Sequence, residues 1–341
     1  MAQQSVPAVP VIHVEPLNGR SAQRQNTVAQ IAAACHTLGF FQITGHGISE
    51  ELISRVWRET KGFFALPTPA KQGVVRTKNN ARGWYNRELT KTTRDMKEVF
   101  DFGYKPYPER PDKDPSNRTR DGVNQWPDAG LCPDFRSTMW EYFQACEHIA
   151  LELLEVVGEG LGVSPDRLTR DFVNKHTSFL RLNYFPSYDP LYGDQQASAG
   201  GHLGIHQHSD AGALTVLLQD SVGGLQFCLN DQWIPVEPVE GALVINIGDI
   251  MQVWSNDRYQ APLHRVLASE GNARYSLPFF YNPSYDAEYA PLDNLTNGPS
   301  PPRYRPINWG EFRWKRQQGD YANYGQENQI SDYRISNVPS S

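Results

Sequence analysis

The chain is predicted to be mainly β with flanking helices, built around a jelly-roll core. From Ser178 onward the spacing of apolar residues changes from helical to strand-like. Nine short apolar stretches then lie between Phe179 and Tyr281, separated by Gly, Pro, Asn and Asp. The 27 glycines and 25 prolines among 341 residues suit a fold with many tight turns. Many short strands joined by such turns point to a double-sheet roll.

The elements follow in order. Residues 1–8 have the composition of a loose arm, and Val9–Val14 is a β-branched first strand. Ser21 is placed to cap a helix to Thr37, whose apolar positions Val28, Ile31, Ala32 and Cys35 recur at helical spacing. Gly39 ends it. Phe40–Thr44 is a strand closed by Gly45-His46-Gly47, with His46 in a structural role. Ser49 caps a second helix carrying Glu50 and Glu51 in its first turn, where the helix dipole favours acids, and Pro67 stops it. Residues 70–130 are polar and turn-rich, and 103–128 form a candidate lid. Pro133 opens a long helix. Its stripe of Met139, Phe143, Cys146, Ile149, Ala150, Leu153, Val156 and Val157 suits packing on the outside of a sheet. Ser164 caps a short helix with Pro165 at its first position.

The strands expected next are Phe179–Phe185, Leu203–His208, Ala213–Leu218, Leu225–Leu229, Gln232–Val236, Ala242–Ile247, Met251–Trp254, His264–Ala268 and Arg274–Tyr281. Asn230-Asp231 is a two-residue hairpin loop. Past Ser284 the chain is Pro-rich, then aromatic, with Trp309, Phe312 and Trp314 starting a helix that packs back. One integrated domain is expected, divided into an N-terminal α/β region (1–130), scaffold helices (131–177), the jelly-roll core (178–284) and a tail (285–341).

With 32 basic and 38 acidic residues, the net charge of −6 gives no basic surface of the kind that nucleic-acid binding needs. Four scattered cysteines form no Cys-x-x-Cys pair, which argues against a disulfide framework or structural zinc. No apolar leader opens the sequence and no run is long enough to span a membrane. A cytoplasmic protein with no obligate protein partner is expected.

The chemistry concentrates at His208, Asp210 and His264. His208 and Asp210 are two apart and share one face of a strand. With His264, 56 positions beyond His208, they form the 2-His-1-carboxylate set that binds non-haem Fe(II) and leaves coordination positions open. A rival set of His202, His206 and His208 would leave Asp210 unexplained, and His206 is expected to line the pocket instead. Arg274 and Ser276 also share a strand face, where a guanidinium fork and a hydroxyl suit a carboxylate. Asn246-Ile247-Gly248-Asp249, Gln219-Asp220 and Ser255-Asn256 have the composition of structural turns.

These motifs stand in a recognisable order: His208-Ser209-Asp210, Leu214–Asp220, Gly223-Gly224-Leu225-Gln226, Asn246–Asp249, Ser255-Asn256, His264-Arg265-Val266 and Arg274-Tyr275-Ser276. Together with Leu38-Gly39-Phe40-Phe41 and Gly45-His46-Gly47-Ile48, the set resembles the isopenicillin N synthase-like family of Fe(II)- and 2-oxoglutarate-dependent dioxygenases, over about Val9 to Tyr281. The resemblance implies a double-stranded β-helix core. It implies that Arg274, Ser276 and Asn183 bind 2-oxoglutarate, and that Phe280, Asn282, Trp84 and Tyr85 face substrate. It further implies hydroxylation, desaturation or ring closure of a small molecule, with a secondary metabolite the expected substrate, consuming O2 and releasing succinate and CO2. Packing is the plain alternative for the two N-terminal aromatics. Two other functions stay open at this stage: an isopenicillin N synthase-like oxidase that uses Fe(II) and O2 without 2-oxoglutarate, and a non-catalytic jelly-roll binding protein.

Overall fold

Two-residue alternation along the central strands creates two apolar layers, and the architecture follows from them. The structure is a computed structural model that describes residues 8–19, 22–77, 80–90, 93–104, 122–173, 175–187, 203–268, 271–297, 300–322 and 328–335. In chain order the strands are β1 (Val11–His13), β2 (Phe40–Thr44), β3 (Gly83–Tyr85), β4 (Leu89–Thr90), β5 (Thr93–Arg94), β6 (Glu98–Gly103), β7 (Phe179–Phe185) and β8 (Leu203–His208). Then come β9 (Leu214–Gln219), β10 (Leu225–Leu229), β11 (Gln232–Pro235), β12 (Leu243–Ile247), β13 (His264–Leu267), β14 (Arg274–Tyr281), β15 (Glu288–Tyr289) and β16 (Ile307–Asn308). The helices are α1 (Ala22–Thr37), α2 (Glu50–Ala65), α3 (Thr68–Gln72), α4 (Phe135–Gly160), α5 (Asp166–Thr169), α6 (Asp249–Trp254), α7 (Asp293–Thr296) and α8 (Trp309–Ala322).

An eight-stranded sheet of order β1-β2-β12-β9-β14-β7-β6-β3 faces a four-stranded sheet of order β11-β10-β13-β8. Val216, Leu218, Ile245, Leu277 and Phe279 point away from the small sheet into the helix-side core, where Phe143 of α4 meets the Phe279 ring edge-on at 5.0 Å. Their alternates Leu217, Val244 and Phe185 join Phe227, Ile234 and Val266 between the sheets. Full burial of each such side chain contributes about 1.5–3 kcal/mol. Toward the other end of this gap the same inward faces carry Asn183, Arg274, Ser276, Thr215 and Asn246, so the roll stays open there as a cavity.

Local signals explain the element ends. Ser49 Oγ accepts from Leu52 N at 3.2 Å and starts α2. Gly39, at φ +65°, ends α1 so closely against Gln260 that a Cβ would lie 2.5 Å from its carbonyl oxygen. Asn230 and Asp231, at φ 48° and 61°, form the two-residue turn between β10 and β11. Among the described residues no helix is long and apolar enough to cross a membrane.

Several expectations need correction. Met251–Trp254 is not a strand but the body of α6, tied by Gln252 N to Gly248 O at 3.2 Å and Ser255 N to Met251 O at 3.0 Å. A four-residue apolar run buried all round cannot reveal its period. Ser164 makes no side-chain cap; Pro165 holds the cap position of α5. The first strand is shorter, Val11–His13. The polar stretch after residue 70, for which the sequence reading names no strand, contains β3 to β6, two of which join the large sheet. The Ser21 cap, His202 and most of the candidate lid fall outside the described residues.

Candidate active site

β8 and β13 are antiparallel neighbours whose register pairs His208 with His264 across the ladder. Their rings therefore lie side by side, with centroids 4.3 Å apart. Asp210 sits in the turn just after β8. His208 Nδ1 donates to His206 O at 2.8 Å, and His264 Nδ1 to Pro262 O at 3.1 Å. Those bonds fix the tautomers and free both Nε2 lone pairs, which lie 3.8 and 3.6 Å from Asp210 Oδ1. The candidate ligand atoms of the three residues all fall within 4.8 Å of one another.

Asp210 is held from behind. Its Oδ2 accepts from Thr215 Oγ1 at 2.5 Å and Asn246 Nδ2 at 2.7 Å, so Oδ1 alone faces the histidines. Asp249 N donates to Asp210 O at 2.8 Å, and Arg316 of α8 donates to Ser209 O at 2.6 Å while pairing with Asp249. Gly248 permits this seating, since a Cβ there would collide with the Gly212 carbonyl oxygen. Burial, then the neighbouring His264, pushes the His208 pKa down to about 3. For Asp210 burial pulls upward, but the two imidazoles and the two side-chain donors outweigh it and hold the carboxyl below its usual value. A neutral imidazole and an ionised carboxylate are the forms that bind a divalent cation, and this donor set suits Fe(II) with open positions.

Deeper between the sheets lies Arg274, 1 % exposed. It donates to Ser276 Oγ at 3.2 Å and Gln219 Oε1 at 3.3 Å, leaves Nε without a partner, and pairs with no carboxylate among the described side chains. Burial lowers its pKa to about 10. Asn183 Nδ2 reaches Ser276 Oγ at 3.4 Å, and its buried Oδ1 is also unpartnered. A buried guanidinium that Asp220 compensates only at a distance, without an ion pair, fits an arriving carboxylate beside a cavity.

The cavity of about 300 Å³ runs from Arg274 past the triad to an outer chamber walled by Phe179, Phe280, Asn282, Trp309, Arg313 and Arg316. Asn183, Phe280 and Asn282 line it. Trp84, Tyr85 and His206 do not. The Trp84 indole donates to Glu98 at 2.7 Å inside the core, Tyr85 lies under the Arg76 guanidinium, and the His206 ring pairs with Asp95 at 3.0 Å. At the rim Arg76, Lys97 and Arg181 interlock with Glu88, Asp95 and Asp101, which holds Glu88 well below the usual carboxylate range despite burial.

Sequence reasoning misses Asn246, which reads as part of a structural turn, and the residues of α8. Trp309, Arg313 and Arg316 follow i, i+4, i+7 spacing, a signal that is present in the sequence but points to no ligand. Asn246→Ala removes one of the two donors to Asp210 Oδ2; Fe(II) affinity should fall ~10- to 100-fold with the fold retained. Metal titration beside a thermal melt checks this, and unchanged affinity would leave Asn246 a packing residue.

Residues 9–129 match the family model of the non-haem dioxygenase in morphine synthesis N-terminal region, and residues 176–283 match that of the 2OG-Fe(II) oxygenase superfamily. The 2-oxoglutarate-Fe(II) type oxidoreductase hxnY of Emericella nidulans is 35 % identical over 314 residues, covering 88 % of this chain and 86 % of that one. Gibberellin 20 oxidase 1 of Arabidopsis thaliana is 33 % identical, over 89 % of this chain and 77 % of its own. Among solved structures, a full-length Neurospora crassa protein in complex with alpha-KG and thymine superposes with a TM-score of 0.77 at 25 % identity, over 91 % of this chain and 96 % of that chain. JOX2 in complex with 2OG, Fe and JA gives 0.78 at 27 % identity, over 96 % and 90 %.

Proposed function

Because this chain belongs to the 2OG-Fe(II) oxygenase superfamily, as an Fe(II)- and 2-oxoglutarate-dependent dioxygenase of small molecules, we propose which of its residues carry the reaction. His208, Asp210 and His264 hold Fe(II) through the two Nε2 atoms and Asp210 Oδ1. Arg274 and Ser276, with Asn183, hold the far carboxylate of 2-oxoglutarate. Phe280 and Asn282 face the substrate. The observation that carries this reading is the pairing of a converging triad with a buried Arg274 that lacks a carboxylate partner among the described side chains. The cosubstrate-free oxidase and the non-catalytic binding protein gain no support from the site, where the triad is complete and an anion subsite stands beside it.

When bound, Fe(II) and 2-oxoglutarate supply the oxidising equivalents: O2 is consumed, the cosubstrate leaves as succinate and CO2, and a substrate C–H bond is hydroxylated or carried on to desaturation or ring closure. The chain's own task is to bind, orient and keep the chamber dry. Thr215 and Asn246 fix the Asp210 carboxylate, and the Nδ1 bonds of both histidines fix their rings. Apolar Leu217, Leu225 and Val266 wall the passage between Arg274 and the triad, which strengthens the charge interactions inside it. No side chain is asked to move a proton. A secondary-metabolite substrate and a cytoplasmic setting fit the aromatic chamber and the four free cysteines.

An anaerobic titration of metal-free protein tests the reading. A visible charge-transfer band that needs Fe(II) and 2-oxoglutarate together is the expected result. Iron binding with no band would return the cosubstrate-free oxidase to first place, and no iron binding would sink the assignment of the triad.

A further inference from the structure

The deep end of the cavity holds a cation that the fold grips with neutral groups. In the large sheet Asn183, Ser276 and Gln219 stand in one row across β7, β14 and β9, since Ser276 pairs with Asn183 on one side and with Gln219 on the other. Arg274, two residues before Ser276 on the same face of β14, reaches this row. Its Nη1 donates to Ser276 Oγ at 3.2 Å and its Nη2 to Gln219 Oε1 at 3.3 Å, while the guanidinium lies 5.1 Å from the Phe185 ring centroid. Gln219 is itself fixed: its Nε2 donates to Val236 O at 3.5 Å, which turns the amide oxygen toward Arg274. The next residue is an acid, and the fold engages it elsewhere. Asp220 Oδ1 accepts from Val222 N at 3.0 Å and Oδ2 from Tyr275 N at 2.6 Å, so this carboxylate acts on Arg274 through space without pairing with it. Of two adjacent positions, the amide faces the cation and the acid binds backbone.

We propose that Gln219 is the positioning residue through which the site selects a dicarboxylic 2-oxo acid: it aims the Arg274 fork and leaves the charge for the far carboxylate of the ligand. The inference deepens the assignment of Arg274 to 2-oxoglutarate and rests on it. Gln219→Glu would keep the length of the side chain but set a carboxylate against the guanidinium. The ion pair would then close inside the protein, and an arriving dicarboxylate would meet a like charge. An apolar side chain would leave the charge open and the fork less well fixed. An amide oxygen holds the fork without neutralising it. Moving β9 by one residue would bring Asp220 to the same place, so the register of the strand carries the selection.

The test uses the full-length parent, Gln219→Glu and Gln219→Met, each loaded with Fe(II) under anaerobic conditions. Each is titrated with 2-oxoglutarate and with 2-oxopentanoate, which has the same chain length and no far carboxylate, while the charge-transfer band is followed. The parent should bind the diacid about 100-fold more tightly than the monoacid. Gln219→Met should keep that preference to within about 10-fold. In Gln219→Glu the diacid should weaken about 100-fold while the monoacid binds as before, so the preference collapses. Melts without cosubstrate give a second readout. Gln219→Glu should raise the midpoint of the parent and lower it in an Arg274→Met background, where the new carboxylate has no partner. A side chain that only packs would move both backgrounds the same way. Four outcomes overturn the proposal: an unchanged preference in Gln219→Glu, equal losses of diacid and monoacid, a loss in Gln219→Met as large as in Gln219→Glu, or melt shifts of one sign in both backgrounds. A parent that forms no band with either acid overturns the assignment of the site and this proposal with it, whereas failure of the proposal alone leaves the parent band intact.

Discussion

Asp210→Asn is expected to abolish Fe(II) binding and turnover while the protein still folds. The replacement keeps the shape of the side chain, but two donors already face the Oδ2 position, Thr215 Oγ1 at 2.5 Å and Asn246 Nδ2 at 2.7 Å. The new amide must present its oxygen to them. Its NH2 group is then left where Oδ1 stood, and that group has no lone pair to give a metal. One of the three proposed protein ligands is lost, together with the negative charge that would balance the cation. Fe(II) affinity should fall by at least ~10³-fold, or ~4 kcal/mol, beyond the range usual for residues that only support a ligand. Because both donors keep a partner, the thermal midpoint of the metal-free protein should move little. Equilibrium dialysis against Fe(II), with a melt of the same sample, gives both numbers. Retained iron would remove Asp210 from the ligand set.

Arg274→Met should act in opposite directions on two measurements. The KM for 2-oxoglutarate should rise ~10²- to 10³-fold, since truncating one side of a buried charge pair costs about 2–5 kcal/mol. The protein without cosubstrate should become more stable. Its buried guanidinium has an unpartnered Nε, rests against neutral Gln219 and Ser276, and is already pushed down to a pKa of about 10 by burial. An apolar chain of similar length removes that desolvation cost. The thermal midpoint should therefore rise by a few degrees while the further shift induced by 2-oxoglutarate disappears. A variant that melts lower and keeps its cosubstrate-induced shift would contradict the assignment of Arg274.

Much of this molecule can be read from its sequence because its strands alternate cleanly. Phe179–Phe185, Leu203–His208 and Arg274–Tyr281 have the same bounds in the structure, and the inward faces of two of them carry the residues proposed to hold the cosubstrate. What escapes has a common physical cause. In β6, the carboxyl side chains of Glu98 and Asp101 are buried, because Lys71, Arg76 and Arg181 arrive from elsewhere to pair with them. Read locally such residues indicate a solvated loop; only the long-range partners make them strand. Sharing a strand with His208 suggests a pocket position for His206, but Asp95, 111 positions earlier, draws its ring away. Glu98 likewise claims Trp84. Asn246 resembles a turn residue because nothing local shows that the inward face of β12 lies behind Asp210.

Helix α8 couples two properties that designers would prefer to adjust separately. Its Trp309 and Arg313 wall the outer chamber, while Arg316, one turn on, grips Ser209 between His208 and Asp210 and is seated on Asp249. A chimera that borrows this helix from a relative to change what the enzyme accepts would also exchange the brace on the metal loop. Transplants that keep the Arg316–Asp249 pair should tolerate new side chains at the chamber positions. Those that break it should shed iron before their selectivity can be measured, so a failed graft would be mistaken for an unsuitable substrate.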